Sequence, residues 1–355
     1  VQTCALPIYD SHRYLECFFA VPMMGAVLHT QNWRLSPEQI LYTMNHAEDD
    51  IVLIHKDFLP LLEAVKDKLE TVKKYVLISD DDDKPESKIV FDAEYEAMLA
   101  SAPETYDFED FDEHTRATTF YTTRTTGLPK GVYFSHRQLV LHAQSTLLMV
   151  GCYDSIGRLR SGDVYMPITP MFHVHAWGVP YAATLLGIKQ VYPGRYEPEM
   201  LIKLIITEKV TFSHCVPTII QMLVTNPAAS KFDLTRWKVL IGGSRLPKGL
   251  AQAAMKLGIQ IYAGYGMSET CPVISIANLK PGMLAASPDE QVDRLIMTGL
   301  PIPMVFARIV DPQGKELPHD GVATGELVLR APWLTESYFK DPDRAKDLWR
   351  NGWLH

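Results

Sequence analysis

With 355 residues, 47% hydrophobic and 21% charged, the chain has the balance of a folded globular protein of roughly two domains and not of a disordered one. A formal net charge of −8 excludes a broad nucleic-acid-binding surface, which needs basic residues to replace phosphate counterions; a local nest of backbone amides with one lysine can still hold a phosphate. Five scattered cysteines, Cys4, Cys17, Cys152, Cys215 and Cys271, offer neither a zinc spacing nor a disulfide framework and suit a reducing cytoplasm.

In chain order, residues 1–12 follow no recognisable pattern, and no charged segment leads into an apolar one as in a signal peptide. The apolar run from Cys17 to Leu28 falls short of the ~20 residues of a membrane span and reads as a buried helix. Ser36-Pro37-Glu38-Gln39 is a capping box with proline at the first helical position, opening a helix to about Ala47. Ile51–His55 reads as a strand, Leu59–Val72 as a helix and Tyr75–Ser79 as a strand; Asp80–Asp83 reads as a solvated acidic loop, not a metal site. Later strands are predicted at Thr118–Thr123, Val164–Ile168, Val210–Cys215, Lys238–Ile241 and Ile259–Tyr262. Helices are predicted near 135–150, 173–186, 198–208, 217–224 and 247–257. Strands alternating with helices of ten or more residues imply an α/β fold with parallel sheets flanked by helices. Beyond residue 300, Val305–Val310 and Glu326–Arg330 among Gly and Pro turns suggest a smaller β-rich subdomain over 301–355.

The stretch Tyr121-Thr122-Thr123-Arg124-Thr125-Thr126-Gly127-Leu128-Pro129-Lys130-Gly131 concentrates hydroxyls, glycines and a lysine behind an apolar strand. Hydroxyls and turn amides donate to phosphate oxygens, and glycine lets the backbone approach. It is no Walker loop, because the lysine precedes the glycine. Its other reading is a polar hairpin between two strands.

The loop resembles the first signature of the adenylate-forming superfamily of acyl-CoA synthetases, luciferases and peptide-synthetase adenylation domains. The likeness continues in order through Ser135-His136-Arg137, Pro170 to Trp177, Ile241-Gly242-Gly243-Ser244, Gly264-Tyr265-Gly266-Met267-Ser268-Glu269-Thr270 and Gly325-Glu326-Leu327. It is nearest to bacterial medium- and long-chain fatty-acid–CoA ligases, covers about Arg13 to His355, and makes 13–300 the AMP-binding large domain. The chain opens without methionine and closes where the resemblance would run on into Thr-Gly-Asp, a hinge and a C-terminal domain, so a fragment incomplete for turnover is expected. Arg124 stands where the family usually has glycine, which predicts weakened use of ATP.

The resemblance implies ATP-dependent activation of a fatty acid to an acyl-adenylate, followed by transfer to the thiol of CoA. Glu269 would bind Mg2+, with Thr122 as a second oxygen donor, and His173 would lie near the activated carboxylate. Lys130 would neutralise phosphate; its other reading is an exposed turn lysine. Thr122, Thr123, Thr125, Thr126, Gly127, Val174, Gly243, Gly264 and Ser268 would contact ATP or AMP, with Tyr265 stacked on adenine. Ala263 replaces a more polar residue. Trp177 would gate an acyl pocket, with Gly266 at its wall; His173 and Trp177, four apart, are expected on one helical face, a pairing that alone reads as core. His175 is expected to be structural. An aryl- or short-chain acid ligase, or a non-catalytic nucleotide- or acyl-binding relative, are the competing expectations. A homodimer, and membrane contact no more than peripheral, are compatible with the resemblance.

Overall fold

The computed structural model describes residues 2–81, 85–122, 127–153 and 157–355. The chain divides into two compact units. The first is Val1–Arg137 with Pro170–His175 and Tyr338–Lys340; the second is Gln138–Thr169, Ala176–Ser337 and Asp341–His355.

The first unit holds a seven-stranded sheet of β1 (Thr3–Ala5), β2 (Val27–His29), β3 (Ile51–His55), β4 (Lys74–Ile78), β5 (Ala93–Glu94), β6 (Arg116–Thr122) and β7 (Lys130–Ser135), in the order β5-β4-β3-β1-β2-β6-β7. All pairs are parallel except β6 with β7. The first residues, which carry no sequence signal, form an inner strand whose Thr3, Cys4 and Ala5 are all buried. The run Cys17–Leu28 is not one helix. The helix His12–Met23 ends near Gly25, whose φ of +78° turns the chain into β2. Leu59–Val72 is likewise broken, into the helix Leu59–Glu63 and a 3-10 turn, Lys66–Lys68. Leu59, Leu62 and Val65 are buried in the core on Val52 and Ile54; a strict spacing of three suits tight turns better than a long α-helix.

The second unit's sheet comprises β8 (Val164–Pro167), β9 (Lys189–Gln190), β10 (Phe212–Cys215), β11 (Lys238–Ile241), β12 (Gln260–Gly266), β13 (Val273–Ile276) and β14 (Leu300–Pro301), ordered β14-β13-β12-β11-β10-β8-β9. It is parallel from β9 to β12 and antiparallel through β13 and β14. The helices Pro198–Thr207, Pro217–Val224 and Lys248–Lys256 stand between its strands in sequence, as their apolar periodicity predicts. The β-rich end is a four-stranded antiparallel sheet of β15 (Phe306–Val310), β16 (Glu326–Arg330), β17 (Trp349–Arg350) and β18 (Trp353–Leu354). Asn351 (φ +52°) and Gly352 (φ +75°) make the two-residue hairpin between its last strands, the conformation for which Asn-Gly is suited. The Arg330 guanidinium donates to the Asn351 and Gly352 carbonyls and pins that turn.

All five cysteines are free thiols, four of them buried. Among the described residues no helix is long and apolar enough to cross a membrane. Asp80 pairs with Arg13 and His55, and Asp81 with Lys56; Asp82 and Asp83 lie outside the described residues.

Candidate functional site

In the second unit, β11 and β12 run side by side with Ile241 opposite Ala263. Gly243, Ser244 and Arg245 follow the first strand, and Ala263 to Gly266 complete the second. These segments wall a cavity of about 1110 Å³, closed on another side by Met283, Glu290, Arg294 and Met297. That exceeds the ~300–1,000 Å³ of ordinary small-molecule pockets. Parallel strands present ligand sites at their carboxyl ends. Gly243, Gly264, Tyr265 and Gly266 are thus brought to one cavity, and the half-buried Tyr265 has its phenol pKa raised by desolvation and then by the nearby Glu269 carboxylate.

Gly264-Tyr265-Gly266 is not the turn its glycines suggest. β12 continues through it and pairs antiparallel with β13, with a register shift between Tyr265 and Gly266. The turn comes afterwards, as the 3-10 segment Ser268–Thr270. Thr270, fully buried, accepts a hydrogen bond from the Met267 amide and donates to the Pro272 carbonyl. A Cβ at Gly266 would collide with that same Pro272 carbonyl. Glu269 keeps its half-exposed side chain while its main-chain carbonyl accepts from the Thr335 amide at 3.0 Å. Among the described residues no group of three His, Cys, Asp or Glu could form a metal cage.

Trp177 does not line the cavity. It is buried, its indole 4.8 Å from the His214 ring and tilted 31° to it. A Cβ at Gly242 would stand 2.9 Å from its ring, so that glycine is required. His214, in the middle of a buried strand, pairs with the Tyr165 hydroxyl through Nε2 (2.7 Å) and with the Thr169 hydroxyl through Nδ1 (3.2 Å). The Thr169 hydroxyl also lies within reach of the His214 carbonyl at 3.3 Å. Burial pushes the pKa of this ring down to about 3. Sequence reading missed His214; a histidine within Phe212–Cys215 was the available signal.

In the first unit, β6 and β7 form the antiparallel hairpin allowed by the second reading of the threonine-rich loop. Thr122 lies directly opposite Lys130. The Lys130 ammonium sits 4.5 Å from the centre of the Tyr338 ring, and Gly127 is exposed with φ +91°. Thr123, Arg124, Thr125 and Thr126 lie outside the described residues. The segment bearing His173 is tied down by two residues that no motif marks. Asp10 accepts from the Met171 amide at 2.9 Å, and the Thr30 hydroxyl donates to the Phe172 carbonyl at 2.9 Å. His173 is exposed by area, yet desolvation still depresses its pKa. His175 is wholly buried, its ring edge-on to Phe18 and Phe120.

His173 and Trp177 do not share the face of a right-handed helix. Val174, His175, Ala176 and Trp177 have φ of +47°, +56°, +47° and +60°, one left-handed turn without a glycine. The ordinary helix begins only at Val179 and runs to Leu185, after Gly178 at φ +71°. Left-handed turns of L-residues are disfavoured. This one is offset by burying all four side chains, at 6% exposure or less.

The fold and these features define an α/β protein with a glycine-walled ligand cavity at the end of a largely parallel sheet. The chain belongs to the AMP-binding enzyme family, whose pattern matches residues 2–339. It is 41% identical over 340 residues to a long-chain-fatty-acid–CoA ligase of Thermus thermophilus, a match covering 95% of this chain and 60% of the relative. It is 36% identical over 352 residues to a 3-methylmercaptopropionyl-CoA ligase of Ruegeria lacuscaerulensis, covering 98% and 64%. A solved long-chain-fatty-acid–CoA ligase from Archaeoglobus fulgidus shares the fold, with a TM-score of 0.83 at 20% identity over 100% of this chain and 69% of that one. The chain therefore spans less than two thirds of the length of the two relatives.

Proposed function

We propose that this chain carries the nucleotide- and acyl-binding part of an acid–thiol ligase that activates a fatty acid with ATP and passes the acyl group to CoA. The cavity walled by Gly243, Gly264, Tyr265 and Gly266, beside the immobilised Glu269 segment, is the observation that supports it most. Carboxylates are poor electrophiles. Attack of the acid on the α-phosphorus of ATP forms an acyl-adenylate and releases pyrophosphate; the CoA thiol then displaces AMP. The protein's part in such a transfer is positioning and charge stabilisation.

In this reading Tyr265 stacks on adenine, and the glycines let nucleotide and acyl group approach the backbone. Ser268 and the threonine-rich loop meet phosphate, Lys130 neutralises it, and His173 faces the reacting carboxylate with Val174 beside the nucleotide. Glu269 would hold Mg2+, with Thr122 as the second oxygen donor that the resemblance implies. One carboxylate and one hydroxyl suit that ion when it is shared with phosphate oxygens, since magnesium retains water and rarely takes an all-protein cage; the lack of a three-ligand cluster among the described residues fits this. The ion would offset charge on the transferring phosphate. The two relatives favour an aliphatic acid, of long chain for one and with a thioether for the other.

Calorimetric titration with a non-hydrolysable long-chain acyl-adenylate analogue tests this. Saturable binding with a raised melting temperature is expected, and weaker binding of the methylmercaptopropionyl analogue. Tighter binding of that short analogue would replace the fatty-acid assignment. No binding of either by folded protein would refute the ligase reading.

A further inference from the structure

The helix His136–Cys152 carries a polar side chain that the reaction outlined above does not use. His142 is 1% exposed, and its Nε2 accepts the Val273 amide at 3.1 Å. Its other face meets Gly178: a Cβ there, at φ +71°, would stand 2.8 Å from Nδ1 and 3.6 Å from the Cys271 carbonyl. The ring lies edge-on to Trp333, 5.7 Å away. His142 thus stands between two stretches of chain, one ending in Trp177-Gly178 and the other running from Met267 through Glu269 to Val273.

The second stretch is held at several points, Val273 also pairing with Gly266 across β12 and β13. Thr270 closes it internally, the Thr335 amide holds the Glu269 carbonyl, and His142 takes the first amide of β13. The same helix steadies the Thr335 side: the Gln138 side-chain Nε2 donates to the Leu334 carbonyl at 2.7 Å. A buried amide left without an acceptor costs more than the bond itself supplies, so the site at 142 must accept a hydrogen bond. A neutral imidazole does so, and burial keeps it neutral by pushing its pKa down to about 3.

We propose that His142 is a positioning residue, which sets the Glu269 carboxylate for its cation by clamping the segment Met267–Val273 through the Val273 amide. The metal role of Glu269 in this statement rests on the ligase reading; the clamp does not.

Two substitutions separate the clamp from simple packing. His142→Leu keeps a comparable apolar volume and removes the acceptor. His142→Gln places a carbonyl oxygen near the position of Nε2. Amide hydrogen exchange over 267–273 is expected to quicken about tenfold in His142→Leu, the scale of one lost hydrogen bond, and to return towards wild type in His142→Gln, with exchange in Lys238–Ile241 unchanged. The Mg2+ concentration for half-maximal ATP binding is expected to rise by about the same factor and to be rescued likewise. Affinity for a metal-free acyl-adenylate analogue should stay within about threefold, because that ligand does not call on Glu269.

Equal quickening in both regions, or an unchanged Mg2+ requirement, would reduce His142 to a core residue and overturn the proposal. If His142→Leu does not fold, His142→Asn, whose amide ends one bond short of Val273, carries the same comparison. Absence of Mg2+-dependent ATP binding in the wild type would refute the ligase reading and the metal role together, and it is seen before any variant is made; hydrogen exchange then decides the clamp independently.

Discussion

Replacing Ala176 by glycine tests the left-handed turn directly. A left-handed conformation costs a non-glycine L-residue about 1–2 kcal/mol, so the four positions Val174 to Trp177 together hold about 4–8 kcal/mol. That is comparable with the whole stability of a typical domain, about 5–15 kcal/mol. Ala176 is fully buried, and so is Ala183, which sits in the right-handed helix Val179–Leu185. Each Ala→Gly change removes one buried methyl, worth about 0.8 kcal/mol, and adds about 0.5–1 kcal/mol of backbone entropy lost on folding. Ala183→Gly therefore costs roughly 1.5 kcal/mol with nothing in return. Ala176→Gly incurs the same losses but relieves about 1–2 kcal/mol of strain, leaving a net change near zero. Urea denaturation of both variants should show Ala183→Gly less stable than Ala176→Gly by about 1–2 kcal/mol at equal slope. Equal destabilisation by the two would mean that the turn carries no such strain, and the balance of strain against burial drawn for it would be wrong.

Glu269→Gln should lower Mg2+-dependent ATP binding at least tenfold, the scale of losing a charged hydrogen-bonding partner, with little change in melting temperature because the main chain at 269 is held independently by Thr335. Titration calorimetry with and without Mg2+ checks this, and unchanged binding would remove Glu269 from the site. Gly266→Ala should prevent normal folding through collision with the Pro272 carbonyl, whereas Gly249→Ala, in the helix Lys248–Lys256 with open space around the new methyl, should be stabilising by up to ~1 kcal/mol; thermal melts distinguish them. Stability should fall with acid from buried histidine. His142 and His214 have folded pKa values of about 3, below the ~6.5 of an unfolded histidine. The unfolded chain therefore binds more protons between these values, and the contribution is complete above pH ~6.5 and lost as pH falls towards 3. At pH 5 each ring accounts for roughly 2 kcal/mol. His214→Phe should accordingly flatten the dependence of urea stability on pH between 6.5 and 5, and an unchanged slope would show that His214 does not resist protonation.

The class of fold and most of the strands and helices in the second unit were legible in the residues alone, because those features are local. A strand such as Lys238–Ile241 is set by its own apolar residues, and the helix Pro37–Ala47 by a capping box at its own start. The segment Gly264 to Glu269 stood out through its resemblance to a family signature, a set of residue types at fixed spacing. Long-range packing settled the rest, where the determinant lies far along the chain. Thr3–Ala5 became an inner strand because β2 and β3 flank it on either side, and no local pattern announces that. Gly264-Tyr265-Gly266 stayed extended because β13 was there to pair with it. The turn at Val174–Trp177 went left-handed, against propensity, because burying its side chains outweighed local strain. His142 and His214, silent in sequence, acquired their places from partners 131 and 49 residues away. Propensity acts over a few residues, whereas a buried hydrogen bond is specified only when distant segments have met, and this chain's site depends on both.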